Sequence, residues 1–396
     1  MPRDHVSEFP WQRMVQREYA DRIPRVADGS PPDGLYVEAL EFDTFLYRTE
    51  PLTVTREFVV TGREKTAVSQ NPVAKPCAFR FATMPYSQVT DICRSADLAI
   101  SCYRISGYAV RASAPKSRRN LDGNELVFVH AGEGMLRTDF GVLNFTPGDF
   151  LFIPRGTIYR WEATAPLMAV IAETPASLLK PYHHWLSDFF PYDPAAIEPA
   201  HPIVIAGSAL IENGGGWEVE IRSGGGYSMT QTYAFSPYNC AAWQGKQYPF
   251  KLSMEHIHAV SSPTFHLPPT AGTIFTTEDQ GAMISVFKPR WIHSLPYNHR
   301  NTWQEFLFYH KGEYGARSGI GPGDATLHPA YMHHGPQPKK LAAWKRVPPN
   351  ELPWRDEWAV MFESKSPFHL YDAVKPMLIE GYDHSWSDEW KEEQKA

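Results

Sequence analysis

The chain has 396 residues, long enough to bury a sizeable core in two or three domains, and its formal net charge is −6 with 21% charged residues. It carries no run of like charges suited to nucleic acid and no apolar stretch near the ~18 residues of a membrane span. The polar start, MPRDHVSEFPWQRMVQREYAD, has no apolar leader, so no membrane association and a cytoplasmic location are expected.

The 35 prolines, 27 glycines and 13% aromatics favour short strands joined by turns, hence an all-β chain with a few short helices. Residues 1–34 end in DGSPPDG and read as an N-terminal arm. YVEALEFDTFLYRT and LTVTREFVV alternate as strands, while Leu98–Ile105 is either a strand or the end of a helix. ELVFVHA, GMLRTDFGVLNF and DFLFIP complete a first domain over 35–200, which closes in a helix-and-loop stretch from 175. PIVIAG, WEVEIRS, TIFTTEDQ and AMISVFKPRW are the strands of a second domain over 201–345. Residues 346–396 read as a tail with a frayed end and no functional part. The four cysteines have no CxxC spacing and read as reduced thiols.

The chain repeats itself. ELVFVHAGEG from Glu125 returns 180 residues later as EFLFYHKGEY from Glu305, and GDFLFIPRGTIY from Gly148 returns as GDATLHPAYMHH from Gly323. In each copy Gly follows Glu by seven residues, and Pro follows the Gly-Asp glycine by six. This plan resembles the cupin motifs and implies a duplicated jelly-roll barrel, a bicupin, with a ligand set at His299, Glu305 and His334. In the first copy Arg119 and Tyr159 stand where the histidines belong, and only Glu125 remains.

Two imidazoles and a carboxylate on one face of an ion leave its other face open, the arrangement of non-haem Fe(II) oxygenases. Residues six apart, such as His299 and Glu305, share a strand face because side chains alternate with period two. Single histidines in turn-rich β proteins are more often structural. A trio complete in one copy and broken in the other weighs toward one metal per chain, in the second domain. His256 and His258, on one face of a strand in this reading, lack a carboxylate partner, and His333 must point away from its neighbour His334. Arg290, Arg300, Lys311 and Arg317 are weaker candidates for a substrate carboxylate.

SPYNCAAWQGKQYPFKL, PRW, YNHRN, the HRNxxxE run and LHPAYMHHGP resemble the homogentisate 1,2-dioxygenase family, two-cupin enzymes that open a hydroquinone ring. The resemblance implies Fe(II) on His299, Glu305 and His334, His266 as the catalytic base, and substrate contacts at Tyr314, His328 and His334. It further implies a substituted hydroquinone and O2 as substrates and a homo-oligomer, trimer or hexamer. Two other readings stand beside it: a metal cupin isomerase or quercetinase-like oxygenase using Zn, Mn or Ni, and a non-catalytic ligand-binding bicupin.

Overall fold

The computed structural model describes residues 12–15, 35–40, 44–62, 67–84, 88–106, 116–175, 179–180, 192–203, 216–224, 226–259, 271–292, 297–348 and 351–395. It is mostly strand, with the short helices Pro338–Lys345 and Ser385–Glu393 and a few 3-10 turns. The ambiguous Leu98–Ile105 stretch is a strand, Ala99–Ile105, buried along its middle. Most of the helix expected after residue 175, and the PIVIAG strand from residue 204 on, lie outside the described residues.

Contacts group the chain into two interleaved units: Met1–Lys65 with Tyr103–Leu178 and Pro194–Met254, and Thr66–Cys102 with Leu179–Asp193 and Glu255–Ala396. A contiguous division near residue 200 is therefore not the one the contacts make. Trp217–Arg222 runs parallel to Ser117–Asn120, and Tyr227–Tyr233 pairs with Thr55–Val60, which puts these strands in the first unit. Cys77–Arg80 pairs with Asp324–His328, which brings that early segment into the second. Glu357–Ser364, placed in the tail from sequence, is a strand between Ala282–Phe287 and Gln304–Gly312. It is buried along most of its length.

The repeat in sequence is a repeat in space. In the first unit Asn124–Ala131 lies between Asp149–Ile153 and Leu167–Thr174, with Glu125 opposite Ile153 on one side and Glu173 on the other. In the second, Gln304–Gly312 lies between Asp324–His328 and Glu357–Ser364, with Glu305 opposite His328 and Glu363. This is the duplicated cupin plan. The glycine seven residues past each glutamate has the same task in both units: Gly132 has φ 92° and Gly312 has φ 90°, a conformation disfavoured for residues with a Cβ. A Cβ at either would also collide with a backbone carbonyl, that of Pro166 or of Asp356.

Alternation along Gln304–Gly312 separates the core from the site. Phe306 and Phe308 face one way and meet Phe79, Phe81 and Phe362 at ring-centroid distances of 5.8–6.3 Å. Burying each such ring contributes about 1.5–3 kcal/mol. Glu305, Leu307 and Tyr309 take the opposite face, so the strand that anchors the core also holds a carboxylate in register.

Candidate metal centre

His299 and His334 face each other across an isolated antiparallel bridge. Each backbone N–H donates to the other's carbonyl, at 2.8 and 3.1 Å. The two rings are thereby held 4.3 Å apart at 65°. Glu305 is fixed from the centre of its sheet by pairing on both sides. The ligand atoms of His299, Glu305 and His334 all lie within 4.8 Å of one another, and His334 Nε2 is 2.8 Å from Glu305 Oε2.

These donors fit a metal. Bonds of about 2.0–2.2 Å place adjacent donors about 3 Å apart, which needs little movement here. His334 Nδ1 meets the Met332 carbonyl at 2.9 Å and His299 Nδ1 meets the Tyr297 carbonyl at 3.2 Å. A proton committed to each carbonyl leaves both Nε2 lone pairs for the ion, the outer arrangement usual for ligating histidines. Burial, then the neighbouring His334, lowers the His299 pKa and keeps that ring neutral.

Around the trio are groups that sequence reasoning only partly anticipated. His328 is buried and stacks on His334, ring centroids 4.5 Å apart and nearly parallel. Its Nδ1 is 4.0 Å from Glu305 Oε2 and its Nε2 is 3.1 Å from the Tyr382 hydroxyl. Burial, with the charge of Arg317 next, holds its pKa well below the usual histidine range. Glu363, directly opposite Glu305, is pushed up to about 8 by burial and then by the Glu305 charge, so it stays protonated at neutral pH. Neither Glu363 nor Tyr382 belongs to a ligand motif, so only strand pairing and chain return could reveal them.

Other expected residues fall in varied places. Tyr314 is buried edge-on against Tyr309 in an apolar cluster with Ala359, Phe287, Leu307 and Ile320. Its hydroxyl has no hydrogen-bond partner among the described residues. His266 lies outside the described residues. His256 and His258 are exposed, and His256 ends a 3-10 turn instead of sharing a strand face with His258, because the strand stops at Ser253. His333 is exposed, as alternation required. Arg290 pairs with Glu357 at 2.8 Å, Lys311 with Glu255 at 3.7 Å, and Arg300 is exposed. Arg317 is buried, has no carboxylate within ion-pair distance among the described residues, and donates to the Gly335 carbonyl at 2.7 Å, beside His334.

The last residues, expected to be solvated, are mostly exposed but helical. Ser385–Glu393 is a helix whose Trp386 indole donates to Gly335 O at 3.1 Å and whose Glu389 accepts from Lys339 N at 3.0 Å. No helix among the described residues is long and apolar enough to cross a membrane.

Comparison with known proteins meets the site from outside. A protein of Saccharolobus solfataricus named as a dioxygenase is 29% identical over 280 residues, covering 68% of this chain and 69% of the relative. Homogentisate 1,2-dioxygenase of Dictyostelium discoideum is 30% identical over 310 residues, covering 74% of this chain and 68% of the relative. Among solved structures, a cupin 2 conserved barrel domain protein from Leptotrichia buccalis superposes with TM-score 0.37 at 10% identity, over 75% of this chain and 99% of that one, too loosely to bear on function. The families described as homogentisate 1,2-dioxygenase N-terminal and C-terminal match residues 38–254 and 255–394 in succession, the second of them containing the trio. Matched in both its halves, the chain belongs to the homogentisate 1,2-dioxygenase family.

Proposed function

We propose that this ring-cleaving dioxygenase holds Fe(II) on His299, Glu305 and His334 and uses O2 to open the ring of homogentisate or a closely related substituted hydroquinone. The observation that carries the reading is the convergence of two imidazoles and one carboxylate within 4.8 Å, in a chain of this family. Fe(II) bound there would supply the redox partner for O2 and open positions for a substrate oxygen. The chain's own residues do the rest. His299 and His334 present Nε2 because their Nδ1 atoms are tied to carbonyls, and Glu305 contributes the negative charge.

His266 is the base in this reading. A phenol with pKa of about 10 is neutral at pH 7, and an imidazole near 6.5 is well matched to take its proton. Tyr314, His328 and His334 are the proposed substrate contacts. His266→Gln should retain the metal and lower kcat/KM by about 10²–10⁴; unchanged turnover between about pH 6 and 8 would remove His266 from the mechanism. None of the four cysteines is in a disulfide, which supports a reducing, cytoplasmic setting. Family membership supports a homo-oligomer built on trimers.

The test is anaerobic loading with Fe(II), Zn(II), Mn(II) or Ni(II), followed by oxygen-electrode assays over homogentisate, gentisate, hydroquinone and catechol. One iron per chain and uptake confined to the Fe(II) form with a substituted hydroquinone are expected. Two metals per chain, or full activity with Zn(II), would overturn the reading and favour the other metal cupin chemistries.

A further inference from the structure

Just past Gly381, whose φ of 76° turns the chain in a conformation that favours glycine, Tyr382 is buried at the start of a 3-10 turn and leads into the last helix. Its hydroxyl lies 3.1 Å from His328 Nε2, and its ring meets Trp386 at 5.4 Å. The same segment grips the loop after His334 through Trp386 to Gly335 and through Gln337 to Ser385 at 2.6 Å. Part of the metal centre is therefore held by residues about 50 positions further along the chain.

We propose that Tyr382 is a positioning residue for the metal centre: its hydroxyl donates to His328 Nε2 and so keeps the His328 proton on Nδ1, directed at the Glu305 carboxylate. The inference rests on reading His299, Glu305 and His334 as the metal site. It follows from hydrogen-bond accounting. A tyrosine hydroxyl can donate or accept, whereas a carboxylate can only accept. Of the two ring nitrogens, Nδ1 is the one turned toward the Glu305 carboxylate, at 4.0 Å, and Nε2 is the one within hydrogen-bond distance of the Tyr382 hydroxyl, at 3.1 Å. A hydroxyl hydrogen given to Nε2 leaves the ring N–H for the side that faces the acceptor.

A neutral imidazole carries a single N–H, so the His328 proton is then on Nδ1. At 4.0 Å from Glu305 Oε2, that N–H is an electrostatic partner of the carboxylate rather than a hydrogen bond. The opposite tautomer would turn a lone pair toward the same oxygen. Because the His328 ring also lies flat on the ligand His334, its orientation reaches two of the three ligands at once.

The test uses the full-length chain with and without Co(II) as the probe metal. In the metal-free protein with 15N-labelled histidine, nitrogen chemical shifts should show His328, assigned by its loss in His328→Gln, as the Nδ1–H tautomer. A proton on Nε2 in the wild type overturns the proposal without any variant. Tyr382→Phe keeps the ring against Trp386 and removes only the hydroxyl. It should shift His328 toward Nε2–H and weaken Co(II) binding, followed by the visible absorption of the bound ion, by about 10-fold or more, the usual effect of removing an outer partner of a ligand. Unchanged tautomer and unchanged Co(II) affinity in Tyr382→Phe would also overturn it. Glu305→Gln separates the two readings: if that variant binds Co(II) as the wild type does, the metal site is wrong, whereas the nitrogen shifts still decide the tautomer.

Discussion

The two copies of the repeat place a glutamate at the same point of the same three-strand motif and give it opposite company. In the first unit Glu173, opposite Glu125, takes the Arg222 guanidinium at 2.9 Å and the Asn120 amide at 2.6 Å. The Glu125 carboxyl is pushed up to about 7 by burial and then by Glu173. Arg119 turns away, donating to Gly156 O at 2.7 Å. In the second unit no lysine or arginine lies within ion-pair distance of Glu305 or Glu363 among the described residues. The lesson concerns charge compensation. One fold buries a carboxylate pair twice, once with a resident guanidinium and once with an open pair of imidazoles where a cation fits.

Removing each glutamate's charge in turn should separate the two units most strongly. Glu305→Gln should lose the metal and, with it, several kcal/mol of transition-state stabilisation. At about 1.4 kcal/mol per tenfold, that is a loss of about 10³-fold or more in oxygen uptake. Glu125→Gln should leave metal content and turnover at wild-type levels. Elemental analysis beside oxygen-electrode rates reads both, and equal losses in the two variants would end the distinction.

Arg222→Met tests the other side. Stripping the cation from the first unit's carboxylate pair should destabilise the protein by about 3–5 kcal/mol, as expected when one partner of a buried pair is removed. Chemical denaturation measures this, and metal content per folded chain should not change.

Glu125 also predicts a pH dependence. Its folded pKa, about 7, is raised from an ordinary 4.5, so the native state keeps a proton that the unfolded chain releases across that window. The resulting stability is fully present below 4.5 and is lost as pH rises toward 7. Glu125→Gln should therefore flatten the fall in Tm across that range, giving a gain over wild type of about 1–3 kcal/mol near neutrality. A parallel fall in both proteins would place the titration elsewhere.

The smallest expected effect is the most diagnostic of register. Arg119→His with Tyr159→His restores the trio in sequence, yet metal should remain at one per chain. His299 pairs directly with His334, whereas Arg119 pairs with Ile158, one residue short of Tyr159. A second equivalent of bound metal in the double variant would show that residue type alone had been missing.

Much of this is written in the order of residues. The repeat from Glu125 to Glu305 is visible because each strand's pattern is local, and period-two alternation then assigns Phe306 and Phe308 to the core and Glu305 to the site. The candidate ligands His299, Glu305 and His334 sit in the same short motifs. What could not be read is everything set by pairing between distant segments. The strand Glu357–Ser364 looked like part of a tail because a strand's place in a sheet depends on its partners. Those partners, Ala282–Phe287 and Gln304–Gly312, lie tens of residues away.

Glu363, Tyr382 and the Trp386 contact with Gly335 escaped for the same reason, and so did the division of the chain into interleaved units. Residue types alone set His299, Glu305 and His334 in one copy against Arg119, Glu125 and Tyr159 in the other. Which groups surround those side chains, and how each buried carboxylate is compensated, came only with the packed chain. Strand periodicity is written in neighbouring residues, whereas hydrogen-bond partners and buried charges are settled only when the chain returns on itself.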